Sequence, residues 1–329
     1  MGQDEHETLE TFFKHTDLSI ARKLIQNLYH RKGPGRPPRN PFGVFRALIV
    51  MRMKGTRSLR ELTRILNTDK RIRRLCLIKP REHGYTRSVI SRFIKKVGAE
   101  RIQKLIEEKI VYLLERSKVE EVDVVFDPSF VKAWSIRHPD NSRIGFSDPD
   151  ARVGRNGRGY DLGYKLHLSL DPKRILPLAV LLEPANDNEK KHAPSLVEKT
   201  REILNKANVR LRRLIGDSQY SSKNVRALVD ESVIPYTSNQ RGVGVLRVDK
   251  RFRTHGPVEL RRLYHRRPMV ESAFSFLKHQ YSLTVNKVRS LANVSVYALL
   301  SVLCHILVRE AAENMGRPDK AVSPTFFNT

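Results

Sequence analysis

A chain of 329 residues, 40% hydrophobic and 29% charged, is ordinary globular material and long enough for more than one hydrophobic core, which excludes disordered and fibrous classes. Sixty-two Lys and Arg against 35 Asp and Glu leave a net charge of +27. That surplus favours a polyanionic partner, nucleic acid ahead of anionic membrane, because each neutralised phosphate releases counterions; a highly charged solvated surface is the plain alternative.

The elements follow in chain order. Met1 to Glu10 is polar and acidic, so no signal peptide is expected, and Cys76 and Cys304 offer neither a disulfide framework nor zinc-ligand spacing, which fits a reducing cytoplasm. Residues 1–118 read as helices joined by short turns. Lys32 to Arg39 is dominated by Gly and Pro and reads as a linker, with Gly35-Arg36-Pro37 as a candidate minor-groove segment. Asn40 caps a helix with Pro41 at its first position. Ser58-Leu59-Arg60-Glu61 is a capping box opening a helix with Leu59, Leu62, Ile65 and Leu66 on one face. Thr86 starts another helix that Gly98 stops, and Ile102 to Leu114 forms the last. Residues 51–100 hold fifteen Lys and Arg against four Asp and Glu, the profile of a helix-turn-helix-like DNA-binding domain, with Arg57, Arg60 and Arg64 as candidate DNA contacts. A helical bundle with a solvated basic face is the competing view.

From Val119 the periodicity changes to two. Val122 to Phe126 predicts a strand ending at Asp127, Tyr164 to Leu170 a second, Ile175 to Leu182 a third and Val209 to Gly216 a fourth ending at Asp217. Arg152 to Gly159 is expected in the loop between the first two strands. Asn186-Asp187-Asn188 caps a helix; Ser222 to Asp230 predicts another, Val233 to Tyr236 a short strand, and Leu263 to Gln280 a long helix. The order β-β-β-α-β-α-β-α predicts an α/β domain over 119–290, a mixed sheet flanked by helices. Residues 291–329 read as a C-terminal helix and tail packing on that domain; its apolar run, Val294 to Val308, is 15 residues long, short of the roughly 20 that a membrane span needs.

Two acidic residues close hydrophobic strands, Asp127 and Asp217. Groups at the carboxyl ends of strands line the ligand crevice of α/β sheets, and carboxylates suit hard divalent cations, although a strand-end Asp is often only a turn former. On the last long helix Glu271 and Lys278 are seven residues apart; at about 100° per residue they differ by only about 20° and share a face. An amphipathic helix with a solvated Glu would look the same.

Tyr264, Arg267, Glu271 and Lys278 fit the spacing Y-(2)-R-(3)-E-(6)-K, which resembles the signature of the IS4/IS5-like insertion-sequence DDE transposases. Phe126-Asp127-Pro128-Ser129 and Gly216-Asp217-Ser218-Gln219-Tyr220 are similar to that family's first- and second-Asp segments, with Ser218-Gln219 in place of the usual basic-Gly pair. The interval of 54 residues from Asp217 to Glu271 resembles the IS5-like branch, which lacks a large β insertion. The resemblance implies an RNase H-like catalytic domain behind an all-helical N-terminal DNA-binding domain. It implies that Asp127, Asp217 and Glu271 are catalytic and hold two Mg²⁺ (or Mn²⁺) ions, with Tyr264, Arg267 and Lys278 gripping DNA. The partners implied are double-stranded DNA, as terminal inverted repeats and target, and a second copy of the chain on DNA. No membrane is implied, and the location is cytoplasmic, at the nucleoid.

Two other functions keep many of these features. A metal-dependent nuclease of the same fold would retain the triad without strand transfer, and a non-catalytic DNA-binding protein would need only the N-terminal helices. His167, His192 and His265 have no partner at ligand spacing and read as structural or DNA-contacting, and Trp134 as packing.

Overall fold

The computed structural model describes residues 7–29, 38–157, 159–237, 258–284 and 287–328. Gly35-Arg36-Pro37 and the basic stretch 238–257 lie outside the described residues. The chain divides into two units, Met1–Ile106 with Phe276–Thr329, and Glu107–Ser275.

Capping chemistry sets the helices of the first unit. After α1 (Leu9–His15) and α2 (Ser19–Gln26), α3 (Pro41–Met53) begins where the Gly43 amide donates to Asn40 Oδ1 at 3.1 Å. In α4 (Leu59–Thr68) the Glu61 amide donates to Ser58 Oγ at 3.2 Å, and the Glu61 carboxylate in return accepts from the Arg57 amide at 2.9 Å, one residue earlier than a strict capping box places it. A short α5 (Lys70–Leu75) follows, capped by Asp69. Helix α6 (Arg87–Arg116) is interrupted at Gly98, whose φ of 68° is open to glycine at little cost, so the expected stop is a break within one long element.

The C-terminal helix α11 (Leu291–Asn314) departs from expectation in length and partner. It packs on α1 and α3, so both ends of the chain build the first unit, whereas the sequence boundaries assigned residues 291–329 to the catalytic domain. Its 24 residues are long and apolar enough to cross a membrane by length and composition, yet 78% of the apolar window is buried within the protein. Buried Arg52 of α3 donates to the carbonyls of Ser282 and Tyr297 at 3.0 Å each, anchoring α11 and the segment before it. The Tyr297 carbonyl also accepts from the Ser301 hydroxyl at 3.2 Å, so it is the buried Ser282 carbonyl that most needs Arg52.

The second unit is a six-stranded mixed sheet with helices. Strand β1 (Glu121–Lys132) pairs antiparallel with β3 (Gly159–Asp171), which pairs antiparallel with β2 (Arg152–Asn156) and with β4 (Leu176–Pro184). On its other side β1 runs parallel to β5 (Arg210–Ile215), and β5 to β6 (Glu231–Val233). Helix α7 (Glu189–Lys206) crosses between β4 and β5, starting at Asn188, and a four-residue α8 (Lys223–Arg226) precedes β6.

Four expectations need correction. The Gly- and Arg-rich stretch is strand β2, hairpin-paired with β3 rather than a loop. The helix expected over Ser222 to Asp230 is a single turn. The long helix from Leu263 is two, α9 (Val258–Tyr264) and α10 (Pro268–His279), because Pro268 has no amide hydrogen for an interior position and instead opens α10. Trp134 is 49% exposed rather than packed in a core.

Candidate active site

Asp127 lies within β1 rather than at its end. Pairing of β1 with β5 stops at Val125↔Ile215, while pairing with β3 continues to Lys132, so from Phe126 onward one edge of β1 has no strand partner among the described residues. That edge tolerates Pro128, which has no amide hydrogen to contribute. Asp127 is thus carried just beyond the last β1–β5 pair, where β5 turns away through Gly216. A Cβ on Gly216 would meet the Phe126 ring at 3.2 Å, so glycine lets β5 and β1 approach there. Asp217 follows, its Oδ1 accepting from the Gln219 amide at 2.9 Å in the short 3-10 turn Ser218–Tyr220. Tyr220 folds back on Phe126, ring centroids 4.2 Å apart and edge-on, which holds the Asp217 turn against β1.

The third carboxylate arrives from α10. The α9–α10 turn is anchored by Arg266, which forms an ion pair with Asp123 of β1; Asp123 also pairs with Arg213 of β5 at 3.5 Å. The next residue, Arg267, then points at the sheet. Its Nη2 donates to Asp127 Oδ2 at 3.0 Å and its Nη1 to Glu271 Oε1 at 2.8 Å. One guanidinium therefore bridges the first and third acids of the motif. Asp127 is buried, Asp217 intermediate and Glu271 exposed.

Electrostatics distinguish the three. Burial raises Asp127 to about 7, opposed by Arg267 and reinforced by Asp217, Glu189 and Glu271. Burial also raises Asp217, while the Gln219 amide and Arg267 pull it down. Burial lowers Arg267, but Asp127 chief among its acidic neighbours leaves it net raised and charged. Among the described residues, Arg267 pairs with Asp127 and Glu271 while Lys165 pairs with Glu189. Carboxylate oxygens match a hard divalent ion, which would restore Asp127 to its ionised form. The residues present therefore fit Mg²⁺ or Mn²⁺.

Other candidates are placed as follows. Tyr264 is buried at the end of α9, and Lys278 is half-buried two turns beyond Glu271, its ammonium lowered by burial; among the described residues no ion pair joins Lys278 to the three acids. Arg57, Arg60 and Arg64 are exposed along the start and outer side of α4.

Sequence reasoning missed Glu189. It opens α7, is held by Lys165 of β3 at 3.0 Å, and its charge bears on Asp127, Asp217 and Tyr220. The acidic residue directly after the Asn188 cap was its only sequence signal.

Comparison with known proteins gives the family. A family model described as "Transposase DDE domain" matches residues 118–307, more than half of the chain. The chain belongs to the DDE transposase family. A second model, "Transposase domain (DUF772)", matches residues 2–96 of this transposase. It is accordingly an enzyme of DNA phosphoryl transfer, acting in transposition by strand cleavage and strand transfer, and DDE transposases use divalent metal ions. No curated protein sequence matches the chain. Among solved structures, a piggyBac transposase synaptic complex with hairpin DNA is 10% identical, covering 97% of this chain and 79% of that one, with a TM-score of 0.46. A Mos1 transposase paired-end complex with left transposon end is 11% identical, covering 74% and 82%, with a TM-score of 0.23. Both likenesses are loose, and membership of the family rests on the sequence match.

Proposed function

We propose that this DDE transposase is an insertion-sequence enzyme of the IS4/IS5-like kind, on the IS5-like branch, with Asp127, Asp217 and Glu271 as its catalytic carboxylates. The observation that carries the assignment is the Arg267 bridge. Two acids 144 residues apart in the chain meet on one guanidinium, at the edge of β1 where β5 delivers Asp217. The sheet order β4-β3-β1-β5-β6, antiparallel among the first three and parallel among the last three, supports an RNase H-like catalytic unit.

Asp127, Asp217 and Glu271 would hold two Mg²⁺ or Mn²⁺ ions, which when bound supply activation of the attacking oxygen and charge neutralisation of the departing one. The rest falls to the chain's own groups. Asp127, central to the acids and about half protonated near pH 7 without a cation, must give up its proton to take part. Arg267 holds Asp127 and Glu271 in register, and its guanidinium is the group placed to grip a phosphate beside the scissile bond. Lys278 and Tyr264 serve as further backbone contacts. Phe126 and Tyr220 exclude water from the buried side of Asp127 and fix the Asp217 turn.

The helical first unit, with exposed Arg57, Arg60 and Arg64 at α4, is proposed as the DNA-binding region for terminal inverted repeats. Joining two ends in one event calls for two copies of the chain on DNA, and the site of action is the cytoplasmic nucleoid. The test is incubation of a duplex carrying the element's own ends, with Mg²⁺ or Mn²⁺, reading strand cleavage and joining into a second duplex. Cleavage and joining by the wild type, with both lost in Asp217→Asn, is expected. Cleavage without joining of pre-cut ends would make the protein a nuclease instead, and equal cleavage by both proteins would remove Asp217 from the mechanism.

A further inference from the structure

The end of β4 and the first turns of α7 bring together three residues outside the catalytic triad. One ligand atom from each of Glu183, Asp187 and His192 lies within 4.8 Å of the other two. His192 sits between the carboxylates, Nε2 at 3.1 Å from Asp187 Oδ2 and Nδ1 at 3.8 Å from Glu183 Oε1. On its own this would be an ion pair shared between two acids.

His167 does not fit so simple a reading. It pairs with Leu181 of β4, so its side chain leaves the sheet on the face shared by Glu183 two residues further along. The same face of β3 meets α7, where Ser169 and Thr200 are hydrogen-bonded at 2.7 Å. His167 is only 1% exposed, its Nε2 has no hydrogen-bond partner among the described residues, and its ring centroid lies 5.1 Å from that of His192. A buried imidazole nitrogen left unsatisfied forfeits the free energy of a hydrogen bond, and such groups call for an explanation. Two imidazoles bound to one tetrahedral ion at the usual metal–nitrogen distance have centroids about 5 Å apart. Burial keeps the His167 ring neutral, lowered to about 3, which leaves a lone pair available to a metal.

We propose that His167, His192, Asp187 and Glu183 form a second cation site, separate from the catalytic acids, that takes a divalent transition ion of the zinc type. Two imidazoles with carboxylates suit such an ion, whereas the oxygen-only triad suits Mg²⁺. Of the two carboxylates, one ligates and the other steadies the His192 ring through its remaining nitrogen, the usual outer-shell arrangement. Lys191, 3.6 Å from Asp187 and largely exposed, can swing away when the ion enters. The ion would pin the start of α7 to β3 and β4. Because α7 opens with Glu189, it would also steady the acidic neighbour of Asp127 and Asp217. The site does not depend on the roles assigned to the triad.

The test uses full-length protein without a histidine tag, carrying Asp127→Asn, Asp217→Asn and Glu271→Gln so that the triad contributes no binding. Co²⁺ is titrated as a visible surrogate and Zn²⁺ as competitor, following stoichiometry, the d–d absorption band and Tm. One Co²⁺ per chain with a tetrahedral-type band, displaced by Zn²⁺, is expected, together with a rise in Tm on adding Zn²⁺. Adding His167→Gln or His192→Gln should weaken binding at least about tenfold and abolish the rise in Tm. Should a histidine variant fail to fold by circular dichroism, Glu183→Gln, whose side chain is 30% exposed, carries the same comparison. No uptake, or an identical band and affinity in the variants, would overturn the proposal and leave His192 as an ion-pair partner only.

Discussion

Arg267 and Asp127 are 140 residues apart in the chain and 3.0 Å apart in space, joined by a hydrogen-bonded ion pair. The same arginine, in the turn just before α10, reaches Glu271 four residues on at 2.8 Å, so one side chain contacts two of the three acids. Arg267→Ala should lower strand cleavage by about 10²-fold at neutral pH, the scale expected when one charged donor is lost from a phosphoryl-transfer site. With Arg267 gone, Asp127 loses the charge that lowers it, so the pH–rate profile should move to higher pH. Arg267→Lys should recover only part of the rate, because an ammonium cannot span both carboxylates in a fork. Cleavage rates over pH 6–9 at limiting Mg²⁺ check both statements.

Asp217→Asn and Glu271→Gln should each reduce cleavage by about 10³-fold or more while leaving the mobility shift of terminal DNA within a factor of a few. An equal loss of binding and cleavage would instead mark these residues as part of the DNA-binding surface.

Asp127 links stability to pH. Its folded value of about 7 lies above the unfolded 3.8, so between those values the native state holds a proton that the unfolded chain has released. Stability from this group is therefore full below about pH 3.8 and is lost as pH rises through 7. Without divalent ions, Tm measured from pH 5 to 8 should fall with rising pH in the wild type. The slope should flatten in Asp127→Asn, and Mg²⁺ or Mn²⁺ should restore Tm at the alkaline end of the wild-type series.

Replacing Arg57, Arg60 or Arg64 by Ala should weaken binding to terminal DNA without changing the divalent-ion requirement. For each arginine that touches a phosphate, the slope of log K against log salt should become shallower by about 1. An unchanged slope for all three would move the DNA-binding face away from α4.

Arg52→Met should destabilise the protein by about 1–3 kcal/mol, since it leaves the buried Ser282 carbonyl without its donor, whereas Tyr297 keeps the Ser301 hydroxyl. Burial already pulls Arg52 down to about 10, a sign of how completely it is desolvated. Denaturant unfolding followed by circular dichroism provides the measurement.

Local chemistry makes much of this protein legible in its residues alone. Asn40, Ser58, Asn188 and Gly98 act through neighbours within a few residues, so caps and breaks are read where they fall. Apolar residues along 122–126, 164–170 and 209–216 mark buried strands, and a gap of four residues brings Arg267, in the turn before α10, to Glu271. Pairing partners are a different matter. Strand β2 looks like a loop because its glycines and arginines carry no apolar period; its place comes from the ladder with β3. Helix α11 has apolar surface nearly all round, which calls for burial without naming a partner, and only packing assigns it to α1 and α3. Glu189 beside the acids, Arg266 on Asp123, and His167 against His192 depend on residues brought close by chain crossings that no spacing records. Hydrogen-bonding groups and periodicity are written into the sequence because they act over a few residues. Which charges and rings meet across the sheet was decided by the tertiary structure, because those contacts close loops of tens to more than a hundred residues.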